Sequence, residues 1–308
     1  MRVSSNQYHI TVNASLQNTN GALEKLMSQM ASGNRLLRPS DDPISHVRVS
    51  RLQREESNIA QYLDNIGALS SRLSKSESML SSVNSEFLNA RDLMVWALDG
   101  GNAAKDLETM ATSLESLRDS LYANTLTKDQ EGNYLFSGTA TKTPTVVLTA
   151  QDAQGNPVPA GQRYSAGGNE KQQMVVVGNG IEQAANVTMQ EMAGWLNTLD
   201  VAIDALKQGN TSNDPAVRAP LQDALQMIDV AMDTVSTKIA RLGGAQNIIA
   251  SLDTNWRNLS VANQTAALDY AQLDYAEAST RLSSLLAAVQ ATQGAYGKVS
   301  QLSLFNVL

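Results

Sequence analysis

An apolar residue recurs at every seventh position between residues 52 and 94, without exception. The members of this series are Leu52, Ile59, Ile66, Leu73, Leu80, Phe87 and Met94. A seven-residue apolar repeat lays a continuous stripe along a helix, which a helical hairpin or a coiled coil needs for packing. Ser40-Asp41-Asp42-Pro43 supplies a helix start and Gly100-Gly101 a stop. The pattern predicts one helix over residues 44–98, about 80 Å long at 1.5 Å per residue.

Helical spacing returns later in the chain and is interrupted by one region of different composition. It predicts further helices around residues 107–121, 192–206 and from residue 215 to the C-terminal end. Glycines and prolines between residues 138 and 180 separate short apolar runs at 146–148 and 174–177, where we expect strands. The sequence therefore predicts a mainly α fold. We expect an elongated, out-and-back helical bundle or coiled coil, with paired terminal helices and a small β-rich inserted domain.

This order of elements predicts three parts of the chain. Residues 1–43 and 268–308 form a terminal helical coiled-coil domain, and residues 44–138 and 187–267 form a long-helix rod domain. Residues 139–186 form a β-rich variable insert, which we expect to be separable from the helices. We expect the three tryptophans to be core residues, with exposed anchors at an interface as the alternative; they are Trp96, Trp195 and Trp256.

Composition argues against several classes of function. The 308 residues include no cysteine and two histidines, which removes Cys-ligated zinc and disfavours a His-rich metal site. The net charge of −7 argues against a general nucleic-acid binder. The longest apolar run, residues 93–98, is far shorter than the ~20 residues of a membrane span. We therefore expect a soluble protein with no cleaved secretory signal, although export by a route without cleavage stays possible.

No catalytic, cofactor or metal site is predicted. Asp41, Asp42, Ser45 and His46 lie close together in sequence, but helix capping explains the two acids. Residues 294–300 have glycines and a lysine but lack the spacing of a phosphate-binding loop.

The two ends of the chain are amphipathic and poor in charge. Residues 1–40 contain four basic residues and one acid, and residues 279–308 contain two basic residues and no acid. The net negative charge of the chain therefore comes from residues 41–278. Lone helices of this kind are marginal in water, so their apolar stripes need a cover from the same chain or from neighbouring subunits. The predicted subunit-contact residues are Leu16, Leu23, Leu26, Met30, Leu282, Leu285, Val289 and Val299.

Two segments near the start of the chain resemble the flagellin superfamily. They are residues 32–43, Ser-Gly-Asn-Arg-Leu-Leu-Arg-Pro-Ser-Asp-Asp-Pro, and residues 61–66, Gln-Tyr-Leu-Asp-Asn-Ile. Within that superfamily, three features are most similar to the hook-associated protein 3 group. They are Pro43 after the two aspartates, Asn133-Tyr134-Leu135-Phe136-Ser137-Gly138, and the apolar tail at residues 303–308.

The resemblance implies a non-enzymatic, extracellular subunit of the bacterial flagellum. Such proteins join the hook to the filament as a homo-oligomeric ring or helical layer, with the first hook-associated protein and flagellin as axial neighbours. The resemblance also implies an export chaperone and export through the flagellar secretion apparatus on an uncleaved N-terminal signal. Two alternatives stay open: a small filament flagellin, and a non-exported coiled-coil scaffold protein.

Overall fold

The computed structural model describes the backbone of residues 2–208 and 211–305, and the side chains of residues 7–208 and 211–298. Within these residues the helices are α1 (Arg2–Ser32), α2 (Pro43–Ala97), α3 (Ala104–Thr125), α4 (Met192–Gln208), α5 (Pro215–Ala271) and α6 (Tyr275–Phe305). The strands are β1 (Val146–Leu148), β2 (Tyr164–Ala166), β3 (Met174–Gly178) and β4 (Ile181–Ala184). The prediction of a mainly α fold with a small β region is confirmed.

The long helix α2 begins and ends through side-chain caps. The Asp42 carboxylate accepts a hydrogen bond from the backbone N–H of Ser45 at 3.1 Å, and Pro43 occupies the first helical position. At the other end, the Asn102 side chain donates to the carbonyl oxygen of Trp96 at 2.6 Å. The same carbonyl also accepts a hydrogen bond from the Asp99 N–H at 3.0 Å, so α2 closes in a tight last turn before the glycine pair at 100–101.

The contacts divide the chain into two compact units. Residues 1–58 and 258–308 form one, called here the terminal unit, and residues 59–257 form the other, called the central unit. Helices α2 and α5 contribute residues to both. The three parts expected from the sequence remain a prediction.

The central unit has one continuous apolar core. The seven-residue series of α2 is buried there from Ile59 to Met94, and from Ile66 onward it packs with residues of α3, α4 and α5. Phe87 meets Trp195 edge to face at 5.6 Å between ring centroids. The expectation that all three tryptophans are core residues is wrong for Trp96, which is 58% exposed because it lies on the outer face of the last turn of α2.

The β region consists of two antiparallel ribbons. β1 pairs with β2, with Val146 opposite Ala166, and β3 pairs with β4, with Met174 opposite Ala184. One buried side chain from each of three strands joins the helical core: Val146, Tyr164 and Val177. The ribbons therefore share the core of the helices, because two-stranded ribbons are marginal on their own.

Helix α4 holds β2 through polar side chains. Asn197 accepts a hydrogen bond from the Tyr164 N–H at 2.9 Å and donates one to the Tyr164 carbonyl at 2.7 Å, as a neighbouring strand would. One turn on, the buried Asp200 carboxylate pairs with Arg118 of α3 at 2.6 Å and with Arg163 at 3.1 Å. These contacts tie α3, α4 and β2 together.

Candidate subunit-contact surface

In the terminal unit, α1 packs against α6 around a small apolar cluster. Leu26, Leu273 and Ala278 are buried at its centre. Met30, Leu282 and Leu285 are half-buried against them. The apolar stripes that the sequence predicted for the two terminal helices therefore pack against each other within one chain at this cluster.

Four of the predicted contact residues meet in this cluster: Leu26, Met30, Leu282 and Leu285. Leu16, Leu23 and Val289 are half-buried but lie outside it. The Val299 side chain lies outside the described residues. A role for these residues in contacts with another subunit stays a prediction.

The segment between α1 and α2 is joined to the segment between α5 and α6. Gly33 turns the chain with a φ of 72°, and its carbonyl accepts a hydrogen bond from the Leu273 N–H at 3.0 Å. The Arg35 N–H donates to the carbonyl of Ala271 at 2.7 Å, and the Tyr275 hydroxyl donates to the carbonyl of Met30 at 3.0 Å. We call this set of bonds the joint.

Two aspartates organise the loop of the joint. Asp41 accepts a hydrogen bond from Lys25 at 2.6 Å and two from the N–H groups of residues 37 and 38. The Lys25 bond and these backbone bonds lower the pKa of Asp41 below its ordinary value. The pKa of Asp42 is also lowered, first by the hydrogen bonds from Ser45 and then by Arg35. Both carboxylates therefore favour their charged form in the folded chain.

Where α2 and α5 lie in the terminal unit, polar groups replace the apolar series. Asn263 and Tyr270 continue the seven-residue spacing of Trp256, and Asn263 is buried. Arg48 lies over the Tyr270 ring, 5.3 Å from its centroid. Ser260 and Gln264 both donate to the Glu56 carboxylate.

The terminal unit leaves much of its apolar surface uncovered. Only three apolar side chains are buried among its described residues, whereas nine large ones are exposed. The exposed ones are Tyr8, Ile10, Met27, Ile44, Val47, Val261, Leu268, Tyr275 and Leu286. Sequence reasoning missed them because it followed the inward stripe; an apolar residue beside that stripe, such as Met27 next to Leu26, was the available signal.

The described residues were compared with two other kinds of site, a metal centre and a membrane span. No group of three or more His, Asp or Glu side chains there could hold a metal ion. In the same residues, no helix combines the length and the apolar character needed to cross a membrane.

Comparison with protein families matches both ends of the chain. Residues 3–141 match the bacterial flagellin N-terminal helical region, and residues 225–308 match the bacterial flagellin C-terminal helical region. The chain therefore belongs to the bacterial flagellin family.

Individual relatives lie in the hook-associated branch of that family. Flagellar hook-associated protein 3 of Escherichia coli is 25% identical over 100% of this chain and 99% of its own length. A solved structure described as a flagellar hook-associated protein from Vibrio parahaemolyticus is 29% identical, with a TM-score of 0.66 over 75% of this chain and 100% of that one. The flagellar junction protein of Legionella pneumophila shares the fold, with 14% identity and a TM-score of 0.57 over 72% of this chain and 100% of that one.

Proposed function

We propose that this chain is a structural adaptor subunit of the bacterial flagellum that joins the hook-associated layer to the flagellin filament. It does so by helix packing between subunits and without catalysis. The similarity to flagellar hook-associated protein 3 extends along the whole chain, and it supports placing the chain with the hook-associated members of the family. The observation that carries the mechanism is the terminal unit, which exposes nine large apolar side chains and buries three. We infer that these side chains belong to the surface that a partner covers on assembly.

The proposed partners follow from that role. Copies of the chain form a ring or helical layer, with the first hook-associated protein on one side and flagellin on the other. The chain reaches this extracellular place through the flagellar secretion apparatus, with an export chaperone. The pairing of α1 with α6 is weak in the free monomer and is strengthened on assembly, because the two helices share only a small core.

A filament flagellin is the second candidate, because the two family regions that match are those of flagellin itself. Copy number separates the two functions: thousands of copies per filament for a flagellin, and about one ring for an adaptor. A non-exported coiled-coil scaffold is the third candidate, and it requires that the protein stay inside the cell.

A deletion strain tests the proposal. We expect cells that make complete hooks, carry no filaments and shed unpolymerised flagellin into the medium. Supplying the chain from a plasmid should restore filaments. Intact filaments in the deletion strain would overturn the adaptor function.

A further inference from the structure

Near the end of α2, the central unit exposes apolar side chains beside an aspartate. Val95 is 49% exposed and Trp96 is 58% exposed. Both lie about one helical turn after the exposed Asp92, which places the three side chains on one side of the helix. The residue before Asp92 is Arg91, and it pairs with Asp229 of α5 at 2.8 Å, so α2 borders α5 here.

The neighbouring stretch of α5 is acidic. Residues 219–237 contain three aspartates and no basic residue. Asp229 has a basic partner, whereas the exposed Asp223 and Asp233 take part in none of the ion pairs among the described residues. Val230, which is 56% exposed, lies seven residues after Asp223 and three before Asp233, so the three share one helix face. We call the surface made by these two helices the acidic face; its residues are Asp92, Val95, Trp96, Asp223, Val230 and Asp233.

The terminal unit carries a face of the opposite charge at the start of α2. Residues 43–54 contain three arginines and no acid. Ile44 is 69% exposed and Val47 is 64% exposed. The exposed Arg51 and Arg54 follow Val47 by four and seven residues, which places them on the same side of the helix. In the part of the chain that the structure describes, neither arginine forms an ion pair. We call these four residues the basic face.

Groups at the borders do not cancel the charge of either face. The exposed Arg218 lies five residues before Asp223, and the exposed Glu55 follows the basic face directly. Lys238, beyond the acidic stretch, is already paired with Glu191 at 2.9 Å. Three aspartates therefore stand against one arginine on the acidic face, and two arginines against one glutamate on the basic face. Each face keeps its sign.

We propose that the acidic face of one copy binds the basic face of a second copy of the chain. The exposed apolar side chains of the two faces pack together, with Trp96 as the large anchor, and the aspartates face Arg51 and Arg54. This inference rests on the proposed assembly of copies into one layer. A second copy is favoured because the two faces are complementary in charge and every copy carries both. Two different faces give a head-to-tail contact, and such contacts build rings or helical layers.

Reversing the charges tests whether the two faces bind each other. In a complemented deletion strain, we expect Arg51→Glu with Arg54→Glu to be secreted normally and to lower the hook-attached fraction about tenfold. Asp223→Lys with Asp233→Lys should have the same effect. A variant with all four substitutions should recover attachment, because opposite charges face each other again. If it recovers nothing, the proposal is overturned.

The matched control reverses two exposed basic groups that lie outside both faces. Lys171→Glu with Arg241→Glu changes the net charge as much as the arginine pair does, and it should leave attachment normal. Circular dichroism and thermal unfolding of the purified full-length chains check that every variant is folded. An equal loss of attachment in this control and in the variant at Arg51 and Arg54 would assign the effect to total charge and overturn the proposal.

Crosslinking identifies the occupant, because the chain has no cysteine of its own. Full-length Val47→Cys and Val230→Cys chains are expressed together in the deletion strain, and isolated flagella are treated with a short bismaleimide. We expect a product of two copies of the chain when both variants are present, and none when either is present alone. In the control, Val201→Cys takes the place of Val230→Cys and gives no product, since Val201 is an exposed residue of α4 outside the acidic face.

Three outcomes of the crosslinking overturn the proposal. A product from one variant alone would mean that a face meets the same face of the next copy. A product with a different protein would assign that face to another partner. No product from cells with both variants would mean that the two faces do not meet. None of these outcomes affects the adaptor function, which fails only if the deletion strain keeps its filaments.

Discussion

Arg35 donates a hydrogen bond to the carbonyl oxygen of Tyr270 at 2.9 Å, and this bond joins positions 235 residues apart. The same guanidinium reaches the Asp42 carboxylate at 3.4 Å. Tyr270 is also held by Arg48, which donates to its hydroxyl at 3.2 Å. The segment at residues 32–43, which resembles the flagellin superfamily, thus has a structural role. It connects the start of α2 to the end of α5 by hydrogen bonds.

We expect Arg35→Ala to loosen the joint without unfolding the chain. The loss should be below about 1 kcal/mol in global stability, because its ion pair is partly exposed to solvent. Amide exchange at residues 271–278 should become faster, because Arg35 bonds the end of α5. Arg38→Ala is the control, since the Arg38 side chain lies outside these bonds. Equal exchange in both variants would contradict the role assigned to Arg35.

The joint should weaken in acid. Asp41 and Asp42 have folded pKa values below the ordinary 3.8, so their stabilising effect is fully present above about pH 4. That effect is lost as the pH falls through the folded pKa values, because protonation then favours the open state. Amide exchange at residues 33–45, measured from pH 5 to pH 2.5, should show this loss. Asp41→Asn should flatten the profile, and an unchanged profile would contradict the assignment.

Two adjacent leucines of α6 should respond differently to a charge. Leu285 packs against the cluster around Leu26, whereas Leu286 is 44% exposed. Leu285→Asp places a carboxylate against apolar neighbours, so it should release α1 from α6 at a cost of about 2 kcal/mol or more. Leu286→Asp should leave that pairing intact in the monomer and weaken attachment to the hook. Amide exchange reports the pairing, and the hook-attached fraction reports assembly. Full attachment of Leu286→Asp would show that this face is not a contact surface.

The sequence predicted those parts of the fold that depend on periodicity. The series from Leu52 to Met94 predicted a helix over 44–98, and the observed helix is Pro43–Ala97. The phase of the same series also places Trp96 outward, because it lies about 200° round the helix from Met94. The expectation of a core tryptophan failed because it followed residue type rather than this phase.

The joint illustrates a second limit. Asp42 was read correctly as a local cap, because a cap depends on neighbours in sequence. Asp41 was read as a cap too, but it bonds Lys25 and the N–H groups of residues 37 and 38. The partners of Arg35 on α5 are more than 200 residues away, and no local pattern predicts such a pair. Asp274, which accepts bonds from the first N–H groups of α6, was a readable cap that the sequence reasoning did not use.

Replacing residues 139–186 with a short Gly/Ser linker should lower the stability of the central unit. The sequence suggested a separable insert, but Val146, Tyr164 and Val177 lie in the helical core. Removing these side chains exposes apolar surface of α3 and α4, which should lower the free energy of unfolding by several kcal/mol. A lowered urea midpoint for the unfolding of the central unit, measured in the full-length chain, would agree with this expectation. An unchanged midpoint would instead support the separable insert.

The buried ion pair of α4 gives a prediction with an internal control. Arg118 contacts two aspartates: Asp200 at 2.6 Å, which is 1% exposed, and Asp119 at 2.8 Å, which is 66% exposed. Asp200→Ala leaves Arg118 and Arg163 without their shared buried partner, so it should cost about 3–5 kcal/mol. Asp119→Ala should cost less than about 1 kcal/mol, because water already screens that pair.

A third variant separates the charge from the packing at this site. Arg118→Met combined with Asp200→Leu removes both charges and keeps apolar volume, so it should recover much of the stability that Asp200→Ala loses. Urea unfolding of the full-length chain measures all three variants, and circular dichroism confirms that each retains its helices. Equal losses for Asp200→Ala and Asp119→Ala would mean that burial of Asp200 does not strengthen the pair. In that case Asn197, with its two bonds to Tyr164, would be the main contact that holds β2 on α4.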